Sequence, residues 1–281
     1  MPEGDTVYRA AHRLHAALAG KTLSRSDFRV PSLATTDVSG AVVERVRAVG
    51  KHLFIDLSGV GGRTLSVHSH LMMDGVWHVY RRGEKWRKPG FRARVVLRAD
   101  GPAGTGVEAV GFDLGILALT ADPDAAVAHL GPDLLGPDWD PARAAANLAA
   151  APERAVGLAL LDQRNLAGIG NIFRSELCFR AGLHPARPVG DADPAALVAD
   201  AHRLLTANAL APVRCTTGDR RRGRELWVYG REHRPCRRCG TAVQRGVLGA
   251  GADGSAAERS IYVCPACQPV TPGSGRAPGR T

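Results

Sequence analysis

The sequence predicts a multidomain α+β protein. An N-terminal antiparallel β-sandwich flanked by helices is followed by a helical domain and then by a cysteine-bearing β-hairpin. Three observations predict this arrangement. Short segments of alternating hydrophobicity follow one another without helices between them in the first half. The texture then changes abruptly at HLGPDLLGPDWDP, which holds three prolines and two glycines in thirteen residues. Finally, two CxxC pairs lie near the end.

The chain opens with MPEGDTVYR. Val7, Ala10, Ala11, Leu14 and Leu18 recur at helical spacing, so Thr6 to Leu18 reads as one amphipathic helix. Asp5 is the expected N-cap and Gly20 the expected stop. Pro2 and Glu3 have two readings. Proline suits a first helical turn, and a carboxylate suits the positive end of the helix dipole. Alternatively, loss of Met1 leaves Pro2 as a free secondary amine beside a carboxyl group, the pair that Schiff-base chemistry requires.

The period then changes to two. AVVERVRAV, HLFIDLS, RTLSVHSH, GVWHVY, FRARVVLRA and ILALT are the expected strands. Beyond the proline-rich stretch, PARAAANLAA, VGLALLDQ, NIFRSELCFRAG and DPAALVADAHRLLTANAL read as helices. The expected domains are 1–130, 131–225 and 226–268, with a disordered tail over 269–281 that is rich in proline, glycine and serine.

At 281 residues, with 44% hydrophobic content, the chain is long enough for two cores. No apolar run reaches membrane length, and no signal-peptide pattern opens the chain. A cytoplasmic protein with no membrane partner is expected. The net charge is +10. Between Arg203 and Arg245, eleven arginines face only Asp219, Glu225 and Glu232, so 11 − 3 = +8 lies in that stretch. Such a patch is a solvated face or a polyanion footprint, and its place beside the cysteine pairs favours nucleic acid. There are only four lysines, Lys21, Lys51, Lys85 and Lys88. Arginine cannot take over lysine's acid–base work, so Lys51 at a strand edge stands out.

Cys236-x-x-Cys239 and Cys264-x-x-Cys267 match a closed four-thiolate zinc site. The segments TAVQRGVL and ERSIYV between them read as two strands of a hairpin. Its 24-residue spacer is longer than usual, and the excess GAGADGSAA suits the hairpin tip. Four thiolates leave no open position, so the ion is expected to be structural. Cys178 and Cys215 are expected to be packing residues.

These pieces resemble one family, formamidopyrimidine-DNA glycosylase and endonuclease VIII. The resemblance covers nearly the whole chain. It rests on PEG, GKHLFI, LLDQRNLAGIGNIFRSELCFRAGLHP, WVYGREHRPCRRCG and RSIYVCPAC, in that order. It implies a base-excision-repair DNA glycosylase and abasic-site lyase with a helix–two-turn–helix domain, a zinc finger, damaged DNA as partner and a monomeric state. Residue by residue, it implies that Pro2 is the nucleophile, Glu3 the acid that assists sugar-ring opening, and Lys51 and Arg259 the further catalytic residues. It implies that Gly168, Gly170 and Asn171 bind phosphate at a helix start. It places Met72 and Met73 on the loop whose apolar side chains fill the gap left by a flipped nucleotide.

The chain also departs from the pattern. In formamidopyrimidine-type members an arginine and a phenylalanine in a second loop probe the opposite base. Here that region reads EAVGFDLGILAL, with Phe112 but no arginine. This, together with PEG at the start, points to the endonuclease VIII branch and to oxidised pyrimidines. His129 stands where an arginine often precedes the LGPD turn, so a phosphate contact there would depend on pH. Two alternatives remain at this level: a formamidopyrimidine-type enzyme for oxidised purines, and a zinc-finger DNA-binding protein without catalysis.

Overall fold

The computed structural model describes residues 2–101, 105–249 and 259–270. Residues 250–257 of the expected hairpin tip and 271–281 of the expected tail lie outside the described residues. The chain divides into two compact units, Met1–His129 and Leu130–Thr281.

The first unit begins with α1 (Gly4–Leu18). The helix starts earlier than Thr6, because the Glu3 carbonyl already accepts the N–H groups of Thr6 and Val7 at 2.9 and 3.1 Å. Glu3 is therefore the N-cap residue. Asp5, expected to cap, is instead buried within the first turn.

Eight strands follow, in two antiparallel four-stranded sheets. One sheet has the order β2 (Val42–Val49), β3 (His52–Val60), β4 (Arg63–His70), β8 (Ile116–Thr120). The other has the order β1 (Arg25–Phe28), β6 (Ala93–Asp100), β7 (Gly106–Phe112), β5 (Val76–Arg81). One core takes Val7 and Leu14 from α1, Leu53 and Ile55 from the first sheet, and Val95 and Leu97 from the second. This is the expected sandwich, with alternating side chains pointing inward. The residues around Phe91 form a short 3-10 turn, Gly90–Arg92, before β6.

Two strands escaped the sequence pattern. β1 is four residues long and mostly polar, and β7 contains two glycines. Phe112 ends β7 and is fully buried with Tyr80, Ala93, Val96 and Val110. It is a core residue rather than a side chain available to probe a base.

The second unit contains α2 (Pro141–Ala149), α3 (Val156–Leu161), α4 (Asn171–Arg180) and α5 (Pro194–Asn208). Asp140 and Asp193 cap α2 and α5 through their carboxylates, and each is followed by proline at the first helical position. Leu160, Phe173, Leu177, Val198 and Leu205 form the unit's core. The hairpin β9 (Gln244–Leu248) and β10 (Arg259–Val263) pairs antiparallel, from Arg259 opposite Leu248 to Val263 opposite Gln244. Cys178 and Cys215 are both buried, and burial pushes the Cys178 thiol up to about 12. No described helix is long and apolar enough to cross a membrane.

Candidate functional site

Each unit carries its own set of candidate side chains. In the second unit the sequence LAGIGN forms the turn before α4. Gly168 has φ +112°, a conformation that side-chain-bearing residues rarely adopt. Its N–H donates to Gln163 Oε1 at 3.0 Å, and Gln163 Nε2 donates to the carbonyls of Leu161 and Ile169. The glutamine side chain thus stitches both turns together. Gly170 is the N-cap of α4, and Asn171 is its first residue.

Asn171 is held at both polar ends. Its Nδ2 donates to the Ser260 carbonyl at 2.9 Å. Its Oδ1 accepts from Arg174 Nη2, which also donates to the Ser260 carbonyl at 2.9 Å. Arg174 is fully buried. Ser260 follows Arg259 on β10, so this network ties the helix start to the strand that carries Arg259. Arg259 itself is exposed. Sequence reasoning named Asn171 and Arg259 but missed Arg174, which sits one helical turn after Asn171 on the same face.

Glu176 was also missed. Its buried carboxylate accepts the N–H groups of Trp227, Val228 and Tyr229 at 2.8, 2.9 and 2.8 Å, and the Thr216 hydroxyl. This fixes the WVYG segment against α4. A buried carboxylate is tolerated there because several donors replace its hydration.

The four cysteines converge. Cys236, Cys239, Cys264 and Cys267 place their sulfur atoms within 4.8 Å of one another. Individual separations are 3.4 Å for Cys239–Cys264, 3.5 Å for Cys239–Cys267 and 4.0 Å for Cys236–Cys267. Four sulfurs about 2.3 Å from a tetrahedral zinc would lie roughly 3.8 Å apart, so the donor set fits a four-thiolate metal site. The Arg238 N–H also points at Cys236 Sγ, 3.4 Å away. Gln268 braces the second pair by accepting the Cys264 N–H and donating to the Leu183 carbonyl. Burial and the neighbouring thiols push Cys267 up to about 12.

In the first unit, Pro2 is half-buried and Glu3 fully buried at the start of α1. Lys51 lies in the two-residue turn between β2 and β3. Next to it stands a histidine cluster that sequence reasoning reduced to His129 alone. His52 Nδ1 lies 2.8 Å from His68 Nε2, and the two rings are stacked. His70 and His129 pack edge-on against His52, with ring centroids 5.0 and 6.2 Å away. The register explains the cluster. His52 pairs with His70 and Phe54 with His68, so the imidazoles share the outer face of the sheet. Phe54 stacks on His68, and the Arg47 guanidinium covers Phe54. Burial, followed by the positive charge of the neighbouring groups, lowers His52 to about 3 and His70 to about 4. The alternation HLF and VHSH was the available signal.

Met72 and Met73 occupy the β4–β5 loop, each with 52% of its surface exposed. They are outside the core. Met72 has φ +50°, and its N–H donates to His70 Nδ1 at 3.0 Å. Gly115 approaches Met72 so closely that any Cβ there would run into its side chain. Both methionines line a cavity of about 290 Å³ together with Arg92, Arg94, Asp113 and Gly115.

Residues 1–111 match the family model for the formamidopyrimidine-DNA glycosylase N-terminal domain. Residues 130–211 match the model for the formamidopyrimidine-DNA glycosylase helix–two-turn–helix domain. The fold also superposes on Lactococcus lactis formamidopyrimidine-DNA glycosylase bound to DNA containing an abasic site. That match has a TM-score of 0.72 and 20% identity, and covers 95% of this chain and all of the other. Together these define the class: a formamidopyrimidine-DNA glycosylase fold with a helix–two-turn–helix and a four-cysteine cluster.

Relatives narrow the assignment. The chain is 54% identical to probable endonuclease 8 2 of Streptomyces coelicolor, covering all of this chain and 98% of that protein. It is 50% identical to the DNA-(apurinic or apyrimidinic site) lyase Nei2 of Mycolicibacterium smegmatis, covering 95% and 99% of the two. It is 31% identical to endonuclease 8 of Escherichia coli, covering 95% and 100%. The chain belongs to the formamidopyrimidine-DNA glycosylase/endonuclease VIII family, in the endonuclease 8 branch.

Proposed function

We propose that this protein is a bifunctional base-excision-repair enzyme. It excises oxidised bases, mostly pyrimidines, from DNA and cuts the strand at the resulting abasic site. The observation that carries this reading is the helix–two-turn–helix start, where Asn171 is fixed to the strand bearing Arg259. A side chain fixed in this way at a helix start supports a phosphate-binding role, because the N-terminus of a helix carries a partial positive charge that favours anions.

The chemistry assigned to the first unit follows from the residues. The Pro2 amine attacks C1′ of the damaged nucleoside, and Glu3 supplies the proton that opens the sugar at its ring oxygen. The C1′–base bond breaks, and nitrogen and C1′ form an iminium. The iminium withdraws electrons, so the C2′ proton is lost and the bond from C3′ to the phosphate oxygen breaks. A second elimination releases the phosphate at C5′. Lys51 and Arg259 neutralise the phosphates that leave. Met72 and Met73 enter the stack where the nucleotide was. His129, beside His52, faces phosphate in place of the arginine of other members.

Cys236, Cys239, Cys264 and Cys267 hold one Zn2+, which cross-links the hairpin and has no position open for chemistry. The arginines between Arg203 and Arg245 supply the salt-dependent part of binding. The protein works as a monomer in the cytoplasm, on damaged DNA.

The test is a cleavage panel. Duplexes carry thymine glycol, dihydrouracil, 5-hydroxycytosine, 8-oxoguanine or a preformed abasic site. Cleavage of the pyrimidine lesions that leaves phosphate on both ends is expected. Preference for 8-oxoguanine would favour the purine branch. Binding without any nicking of the abasic duplex would contradict the enzyme reading.

A further inference from the structure

Phe91 is 81% exposed, the largest exposure among the large apolar side chains of the described residues. It sits at the tip of the Gly90–Arg92 turn, and cations surround it. Arg92 Nε donates to Asp113 Oδ1 at 2.8 Å, and Lys88 Nζ to Asp113 Oδ2 at 2.9 Å. Arg94 Nη1 donates to the Phe91 carbonyl, and Arg29 Nη1 to the Gly90 carbonyl. The segment 81–94 contains seven arginines and lysines and only Glu84 against them. This second basic cluster is more concentrated than the C-terminal one, and it is interleaved with Trp86 and Phe91.

The turn is joined to the Met72 loop. The Asp113 N–H donates to the Arg92 carbonyl at 3.0 Å. Gly115, two residues on, abuts Met72. Arg92 and Arg94 line the same cavity as Met72 and Met73. The family's second-loop aromatic is expected at Phe112, but that ring is buried in the core. An exposed aromatic ring with flanking guanidiniums therefore stands next to that loop, on a different segment.

We propose that Phe91 stacks on a nucleobase of the undamaged strand, while Arg92 and Arg94 contact its backbone. The proposal rests on the reading of this protein as a damaged-DNA enzyme. Its logic is charge and shape. An exposed ring gains by covering a base face, and surrounding cations bring a polyanion to it. Residues beside the gap-filling methionines face the base left without its partner.

The experiment uses the full-length protein and a duplex with a tetrahydrofuran abasic analogue opposite 2-aminopurine. Wild-type protein is expected to bind and to quench the 2-aminopurine emission by stacking. Phe91→Ala is expected to bind about tenfold more weakly and to lose the quenching, while Phe91→Trp restores both. The exposed position makes a folding defect improbable on physical grounds, and an unchanged melting temperature checks this. A Phe91→Ala protein that binds and quenches like wild type overturns this inference alone. Wild-type protein that fails to bind the abasic duplex overturns the proposed function and this inference with it.

Discussion

The Asn171 side of the second unit and the Pro2 and methionine side of the first are built differently. Asn171 is fixed at both polar ends, through a buried arginine and a strand carbonyl. Met72 and Met73 have about half their surface exposed, and Pro2 lies at the very start of the chain. In the proposed role Asn171 is already ordered, so little ordering cost would remain when a phosphate arrives. The two methionines, as the proposed wedge, would gain their packing only against a base stack in the complex.

The largest effect should come from the four-cysteine cluster. Cys236→Ser or Cys267→Ser should release the metal and abolish DNA binding, since a structural zinc contributes on the order of 10 kcal/mol to folding. The first unit should keep its β-sheet signal by circular dichroism. A metal-free variant that binds normally would break the link between hairpin and grip.

The next effect isolates preorganisation. Arg174→Met removes the hydrogen bonds to Asn171 and Ser260 with little change in volume. A charge-assisted hydrogen bond contributes about 1.5–3 kcal/mol. Affinity for an abasic duplex should therefore fall at least tenfold, close to the loss in Asn171→Ala. The double variant should be no worse than the weaker single variant. Simple additivity would show that Arg174 acts independently of Asn171.

The contrast between the units was only partly legible in the sequence. The cysteine cluster could be read because the spacing of its two pairs is local, whereas Asn171 and Arg259 came only from the resemblance. Arg174 could not, since its importance arises from Ser260, 86 residues away in sequence. Alternation exposed six strands, but β7 escaped because its glycines imitate a loop. Phe112 looked like a loop residue for the same reason, and the sheet buries it. The histidine cluster depends on the β3–β4 register, which alternation suggests but does not fix.

A smaller effect concerns pH, and it belongs to the first unit. His52 and His70 are held at about 3 and 4 in the folded chain, below the ordinary histidine value of about 6.5. Between those values the unfolded chain binds more protons than the folded one. Stability should therefore be highest above pH 7 and fall as pH drops from 6.5 toward 4. Thermal melting at stepped pH reads this directly. His52→Phe should flatten the dependence, and an unchanged slope would mean the cluster does not govern it.

Salt gives the mildest test. If about five phosphates are neutralised, log K should fall against log[salt] with a slope near −4.5. A flat response would remove the arginine clusters from DNA binding.

The central claim is that the covalent chemistry belongs to Pro2 in the first unit. Borohydride reduction of the protein with abasic DNA, followed by mass spectrometry of the trapped peptide, tests it most directly. The account predicts a single adduct on the Pro2 nitrogen, absent when Met1 is retained or the amine is acetylated, with DNA binding still present. An adduct on Lys51, or on any residue other than Pro2, would contradict it.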